Sequence, residues 1–201
     1  MSIPGDDDSP LDDAPDERVA RWTTRSSRTV YDNPWIEVSH REVRAPTGRD
    51  GIYGMVHFKN RAVGVVPLDD EAHTWLVGQW RYPLDAWSWE IPEGGAPAGE
   101  ATLDCARREL AEETGLTASR WSPLLKLHTS NSVTDELGVV YLARGLTPGT
   151  PAPDDTERLV VRRVSLDEAV AMVLDGRITD SLAMTGLMKA QLLRLRGELP
   201  V

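Results

Sequence analysis

Apolar residues recur along this chain at two spacings, and each spacing predicts a different kind of element. Val63, Val65 and Val66, then Trp75, Leu76 and Val77, form short dense apolar runs separated by the polar stretch Asp69 to His73, which predicts two strands joined by a turn. From Leu103 the spacing changes to three and four. Leu103, Ala106 and Leu110 make a narrow stripe suited to a helix packed along one side, and Gly115 supplies the left-handed residue that commonly ends one. Val139, Val140, Tyr141 and Leu142 return to the strand type. Ser165 to Asp175 carries an N-cap Ser, Glu168 at the capping-box position and apolar residues at helical spacing, and Ser181 to Arg196 reads as a final helix. Residues from Thr29 to Lys59 read as short strands around the turn Ala45-Pro46-Thr47-Gly48. No internal repeat is visible.

The helix from Leu103 has a second, acidic face. At about 100° per residue, Glu112 lies about 60° to one side of Glu109 and Glu113 about 40° to the other, so the three carboxylates share one side. Glu-rich helices are usually solvated faces. Like charges this close nevertheless call for a compensating cation, and hard divalent ions such as Mg²⁺ take oxygen ligands from a few carboxylates and from substrate phosphates. Arg108 stands four residues before Glu112, within reach of an ion pair. Upstream, Pro92, Gly94, Gly95, Pro97 and Gly99 make a non-helical loop that can bring backbone groups close to an ion or phosphate. Cys105 is the one cysteine, so no internal disulfide forms, and its position suits a small buried side chain.

From Gly94 to Leu116 the spacing resembles the signature of the Nudix hydrolase family, G-x5-E-x7-R-E-U-x-E-E-x-G-U with U apolar. Gly94, Glu100, Arg108, Glu109, Leu110, Glu112, Glu113, Gly115 and Leu116 fill every fixed position. The resemblance implies a loop-helix-loop metal site that hydrolyses a nucleoside diphosphate linked to another group, on an α/β/α sandwich around a mixed sheet. It makes Glu109 and Glu113 direct ligands of Mg²⁺ or Mn²⁺, with Glu112 sharing an ion or placing a water and a backbone carbonyl of Gly95 or Ala96 adding a ligand. Arg108 becomes an orienting residue. Glu100, nine residues before Glu109, falls about 180° around any continuous helix and reads as a helix-start anion or a brace for the loop.

The flanks resemble the ADP-ribose and nucleotide-sugar pyrophosphatase branch of that family, through Gln79-Trp80-Arg81-Tyr82-Pro83 and Trp87 to Pro92. The substrate-binding set this implies is Arg81, Trp35, Glu90 and Asn131. The planar fork of Arg81 suits a diphosphate and equally suits an ion pair with Glu90 or Glu93. Trp35 and Trp22 are candidates for base stacking, since in relatives an aromatic from the N-terminal region does this, while Trp75 and Trp89 read as core or interface anchors. After the helix, Ser130-Asn131-Ser132 stands where ADP-ribose pyrophosphatases commonly read Ser-Pro-Gly, and an Asn amide there suits a hexose hydroxyl or a different base. Asp135 and Glu136 support either metal or loop. For the general base, the Pro- and Gly-rich stretch before the apolar run at 159–161 offers Glu157 first and Asp155 second, with Asp154 beside them and Glu112 as a further choice.

Composition sets limits on these readings. At 201 residues, 40% hydrophobic and 27% charged, the chain has room for one catalytic domain, expected over 61–201, with an N-terminal β-region over 21–60. Residues 1–20 carry clustered Asp and three Pro and read as a disordered acidic tail rather than a targeting sequence. A formal net charge of -10 argues against nucleic acid as a partner, and no stretch is long and apolar enough to span a membrane. A cytoplasmic enzyme is expected, and by resemblance a homodimer joined through the N-terminal sheet. Rival functions are a Nudix enzyme acting on a nucleoside triphosphate or dinucleotide, and a non-catalytic nucleotide sensor.

Overall fold

A computed structural model describes residues 21–152 and 158–199. The chain divides into two compact units, one formed by residues up to Asn60 together with Ser130–Glu136, the other by Arg61–Thr129 and Leu137–Val201.

The first unit is an antiparallel meander of β1 (Thr23–Asp32), β2 (Ile36–Arg44) and β3 (Asp50–Phe58) in the order β1-β2-β3. The β1–β2 turn is set by Asn33, whose side-chain oxygen accepts from the amides of Trp35 and Ile36 at 2.9 and 2.8 Å. The expected turn at 45–48 is present, closed by the Gly48 amide donating to the Ala45 carbonyl at 2.8 Å, with Gly48 at φ +85°. Segment 130–136 lies along β3: the Val56 amide donates to the Val133 carbonyl at 2.9 Å, and the Asp135 carboxylate takes the His57 ring at 2.6 Å and the Phe58 amide at 3.1 Å. That segment sits inside the stretch expected to be catalytic, but it folds with the N-terminal strands because β3 offers it these donors.

The second unit holds two sheets. One is antiparallel, β10-β5-β6, from β5 (His73–Arg81), β6 (Ala86–Glu90) and β10 (Val160–Ser165). The other is mixed, β7-β4-β9-β8, from β4 (Arg61–Pro67), β7 (Glu93–Ala96), β8 (Leu116–His128) and β9 (Leu137–Pro148), with β4 and β9 parallel and the remaining pairs antiparallel. Alternation along β4 and β9 sends side chains to opposite faces. Val63, Val65, Val139 and Tyr141 join Cys105, Ala106 and Leu110 of helix α1 (Thr102–Thr114) in one core. Val66, Val140 and Leu142 join Leu182, Ala183, Leu187 and Ala190 of helix α3 (Ser181–Arg196) in the other, with α2 (Leu166–Leu174) alongside. The mixed sheet is therefore covered by a helix on each face, and the α/β/α expectation holds.

Candidate active site

Helix α1 begins after Ala101 without a side-chain cap and ends at Gly115, whose φ of +72° and amide bond to the Ala111 carbonyl are the expected helix stop. Its apolar stripe seats it on β4 and β9, which presents the acidic side toward β7. Glu113 is 4% exposed, and its carboxylate accepts from the Glu93 backbone amide at 3.0 Å. Glu109 is seated against the β7 backbone so closely that a Cβ on Gly94 would lie 2.1 Å from its carboxylate oxygen. Only glycine leaves that space to Glu109, which gives the first fixed position of the signature a physical reason.

Arg108 supplies the compensating cation within the protein itself. One guanidinium nitrogen donates to Glu109 at 2.6 Å and Glu112 at 3.0 Å, while the remaining two bind the Glu100 carboxylate at 3.1 and 3.0 Å. Glu100 is thus the brace that clamps the loop to the helix through Arg108, and that guanidinium holds its carboxyl below the usual range. Cys105 is fully buried, and burial, with Glu109 next, pushes its thiol up to about 12, so it packs and offers no thiolate.

The donor set of Glu109, Glu112 and Glu113 with the Ala96 carbonyl at the end of β7 is all hard oxygen, the kind Mg²⁺ takes, and Gly94 leaves the β7 backbone open to the Glu109 carboxylate. The residues therefore fit a divalent ion. Among the described residues, the three acids of α1 do not close to within 4.8 Å of one another; the group that does is Asp69, Glu71 and His73 in the β4–β5 turn. That grouping is accounted for by the turn. Asp69 accepts from the amides of Glu71 and His73 at 3.0 and 2.8 Å, and Arg163 binds both Asp69 and Glu71.

For Arg81 the structure holds the ion pair. Its Nε donates to Glu90 at 2.8 Å and its Nη2 to Glu90 at 2.6 Å and Glu93 at 3.1 Å, and the Glu90 side chain is 97% buried, also accepting from Gln79. Glu93 is the residue that sequence reasoning passed over except as an Arg81 partner. Its Oε2 is buried without a hydrogen-bond partner, and burial, then the charges of Asp180 and Glu90, push its carboxyl well above the usual range. The one signal available was its place directly before Gly94.

The other expected substrate residues lie in the first unit. Trp35 is 66% exposed beside the Asn33 turn, Trp22 meets Tyr53 edge to face at 5.7 Å, and Asn131 is exposed in the segment along β3. Asp135 braces that segment through His57 and Phe58. Trp89 and Trp75 are part-buried against the two cores, with Trp87 edge to face on Trp89 at 5.8 Å and Arg163 over Trp75 at 5.5 Å. Glu157, Asp155 and Asp154 lie outside the described residues.

Fold and helix together define a Nudix hydrolase: the NUDIX domain family matches residues 58–182, and the chain belongs to it. Residues 22–56 match the nucleoside diphosphate sugar hydrolase N-terminal domain. Among relatives, an ADP-ribose pyrophosphatase of Mycobacterium tuberculosis is 36% identical over 82% of this chain and 81% of its own length. An ADP-ribose pyrophosphatase of Bacillus subtilis is 29% identical over 84% of this chain and 92% of its own. A CMP-5'-(N-acetyl-N-hydroxy-3-aminopropyl)phosphonate hydrolase of Streptomyces rubellomurinus is 30% identical over 84% and 81%. A crystal structure of an ADP compounds hydrolase superposes with a TM-score of 0.80 at 22% identity, covering 92% of this chain and 100% of that one, a likeness of fold. Among the described residues no helix is long and apolar enough to cross a membrane.

Proposed function

We propose that the protein hydrolyses the pyrophosphate bond of ADP-ribose or a nucleoside diphosphate sugar, releasing a nucleoside monophosphate and a sugar phosphate, with Mg²⁺ as its cofactor. The observation that carries this is the seating of Glu109 and Glu113 against the β7 backbone within a complete signature; the match of residues 22–56 to the nucleotide-sugar N-terminal domain and the names of the relatives support the substrate class.

Glu109 and Glu113 would hold the ion, with Glu112 and the Ala96 carbonyl beside them, and the ion would supply charge neutralisation for the diphosphate. Arg108 fixes the rotamers of Glu109 and Glu112 through its bonds at 2.6 and 3.0 Å. The general base would be Glu157, or Glu112, whose side chain is 42% exposed, accepting a proton from the attacking water. Base and substrate selection fall to Trp35 and Asn131. A cytoplasmic setting and a homodimer joined through residues 21–60 belong to the same reading; the exposure of Trp22 beside that sheet and of Val30, Tyr31 and Ile52 on it supports the latter.

The test is a panel of ADP-ribose, ADP-glucose, GDP-mannose and UDP-glucose, each with Mg²⁺ and with EDTA, read by release of sugar phosphate. Turnover of at least one compound, abolished by EDTA, is expected. Hydrolysis confined to nucleoside triphosphates or dinucleotides, or binding in excess Mg²⁺ without turnover, would overturn the proposal.

A further inference from the structure

Glu93 opens β7, and its backbone and side chain face different partners. The backbone amide donates to the carboxylate of Glu113 at 3.0 Å, while the side-chain Oε1 accepts from Arg81 Nη2 at 3.1 Å. Arg81 is in turn held by Glu90, through Nε at 2.8 Å and Nη2 at 2.6 Å, and Glu90 also accepts from Gln79 at 3.2 Å. A run of bonds therefore leads from β5 and β6 through Arg81 to the start of β7 and on to an acid of α1. Keeping Glu93 in place costs free energy, because its Oε2 is buried with no partner. The proposed chemistry uses nothing in this run before Glu113.

Strand β7 has reason to need a second tie. It is four residues long and stands at the edge of the mixed sheet, with β4 as its one strand neighbour, from Val65 bonded to Pro92 at 2.8 Å to Arg61 opposite Ala96. A short strand held by one ladder opens easily. Yet three features of the ion site hang on its backbone: the Glu93 amide on Glu113, the bare Cα of Gly94 against Glu109, and the Ala96 carbonyl. The spacing has no slack, since a methyl group on Gly94 would lie 2.1 Å from the Glu109 carboxylate. Packing leaves one side of the Arg81 pair open, because Arg81, Glu90 and Glu93 stand in the wall of a cavity of about 380 Å³ between β6 and the start of α3. Directed hydrogen bonds supply the restraint instead, and a carboxyl oxygen accepts from Arg81 in either protonation state.

We propose that Glu93 is a positioning residue for the divalent ion: its side-chain bond to Arg81 ties the edge strand β7 to the antiparallel sheet and so holds the backbone that seats Glu113 and Glu109. Glu93 acts through Glu113 and Gly94 and is not itself an ion ligand. The proposal rests on the ion-dependent hydrolase reading above and adds to it a side chain outside the ligand set.

The test titrates the full chain with Mn²⁺, counting the free ion by electron paramagnetic resonance, so that no turnover is needed. Glu93→Met keeps the length of the side chain and removes the acceptor, whereas Glu93→Gln keeps an oxygen for Arg81. Partners that orient metal ligands cost about 10- to 100-fold in affinity when removed, so Mn²⁺ is expected to bind about tenfold more weakly to Glu93→Met and within about threefold of the wild type to Glu93→Gln. The Mg²⁺ concentration that gives half-maximal hydrolysis should rise in Glu93→Met by the same factor. Glu93→Ala replaces Glu93→Met if the latter melts early, and Leu187→Ala is the control for lost stability alone. Wild-type affinity in the folded Met or Ala variant would overturn the proposal. Equal weakening in Glu93→Gln would overturn it by assigning the effect to charge, and equal weakening in Leu187→Ala by assigning it to stability. A wild type that takes up no Mn²⁺ would sink the ion reading and this proposal together. The expected Mn²⁺ pattern without turnover of any nucleotide sugar would leave the positioning role standing and sink the hydrolase reading instead.

Discussion

Helices α1 and α3 cover opposite faces of the same four-stranded sheet, yet they follow opposite rules. Helix α3 is capped by Asp180, ends at Gly197 with Arg194 and Arg196 in its last turn, and buries Leu182, Ala183, Gly186, Leu187 and Ala190. Each feature favours the helix, including the basic residues at the negative end of its dipole. Helix α1 has no side-chain cap, no basic residue in its last turn, and places Glu112 and Glu113 there instead, against the dipole. One helix serves stability; the other gives some of it up along the face that carries Glu109, Glu112 and Glu113. Such breaks in the local rules fall on the helix that carries the proposed ion ligands.

The sharpest way to break this contrast is to remove one carboxylate from α1. Glu113→Gln is expected to lower turnover about a thousandfold, an effect of roughly 4 kcal/mol on the barrier. The same variant should melt close to the wild type in EDTA, because an amide of the same size replaces a carboxyl that is 4% exposed and can keep the bond from the Glu93 amide. Substantial activity in purified Glu113→Gln would separate the helix from the chemistry. The converse change lies on α3. Leu187 is fully buried, and Leu187→Ala should cost about 2–5 kcal/mol in denaturant unfolding while leaving kcat per folded molecule unchanged. A matching loss of kcat would mean that the two faces are not independent.

Between these extremes stands Arg108, which neutralises the acids of α1. Arg108→Ala leaves Glu100, Glu109 and Glu112 without their shared cation, and a loss of about 1–2 kcal/mol in EDTA is expected. A divalent ion gripping the same carboxylates should return part of that loss. The gap in melting temperature between Mg²⁺ and EDTA should therefore be wider in Arg108→Ala than in the wild type. An equal gap would detach the arginine from the ion's site.

What the sequence makes legible follows the range of the forces involved. Helix α3 spans Ser181–Arg196 as expected, and the Ser165 hydroxyl caps α2 by accepting from the Glu168 amide at 3.1 Å, because caps and periodicity act within one turn. The reciprocal half of that capping box is absent, since Glu168 turns instead to Arg162 at 2.6 Å. Strand β8 has no clear period along most of its length. Pro123 and the register shift between Pro123 and Leu125 interrupt its pattern over Leu116–His128. Glu90 and Glu93 are chemically equal partners for Arg81 in the sequence, and only the β5–β6 pairing, which sets Gln79 opposite Ser88 and Val77 opposite Glu90, gives Glu90 two of its bonds and leaves Glu93 one. The cavity between β6 and the start of α3 was hidden for the same reason: its walls are about 90 residues apart in the chain.

The smallest expected effect lies where α2 meets α3, far in chemistry from the carboxylates of α1. Asp167, in the first turn of α2, accepts from Gln191 at 2.6 Å and from Arg194, and these two bonds hold its carboxyl below the ordinary value of 3.8. A depressed folded pKa contributes stability that is present above the unfolded value and lost as pH falls through the folded one. Asp167→Asn should therefore be less stable than the wild type at pH 7, by under about 0.5 kcal/mol because the Asp167 side chain is 65% exposed. The difference should shrink in high salt and vanish below the folded pKa, as read from denaturant midpoints. A gap that persists in acid would assign the contact to the geometry of the amide-capable side chain rather than to its charge, and α3 would then owe its seating to packing alone.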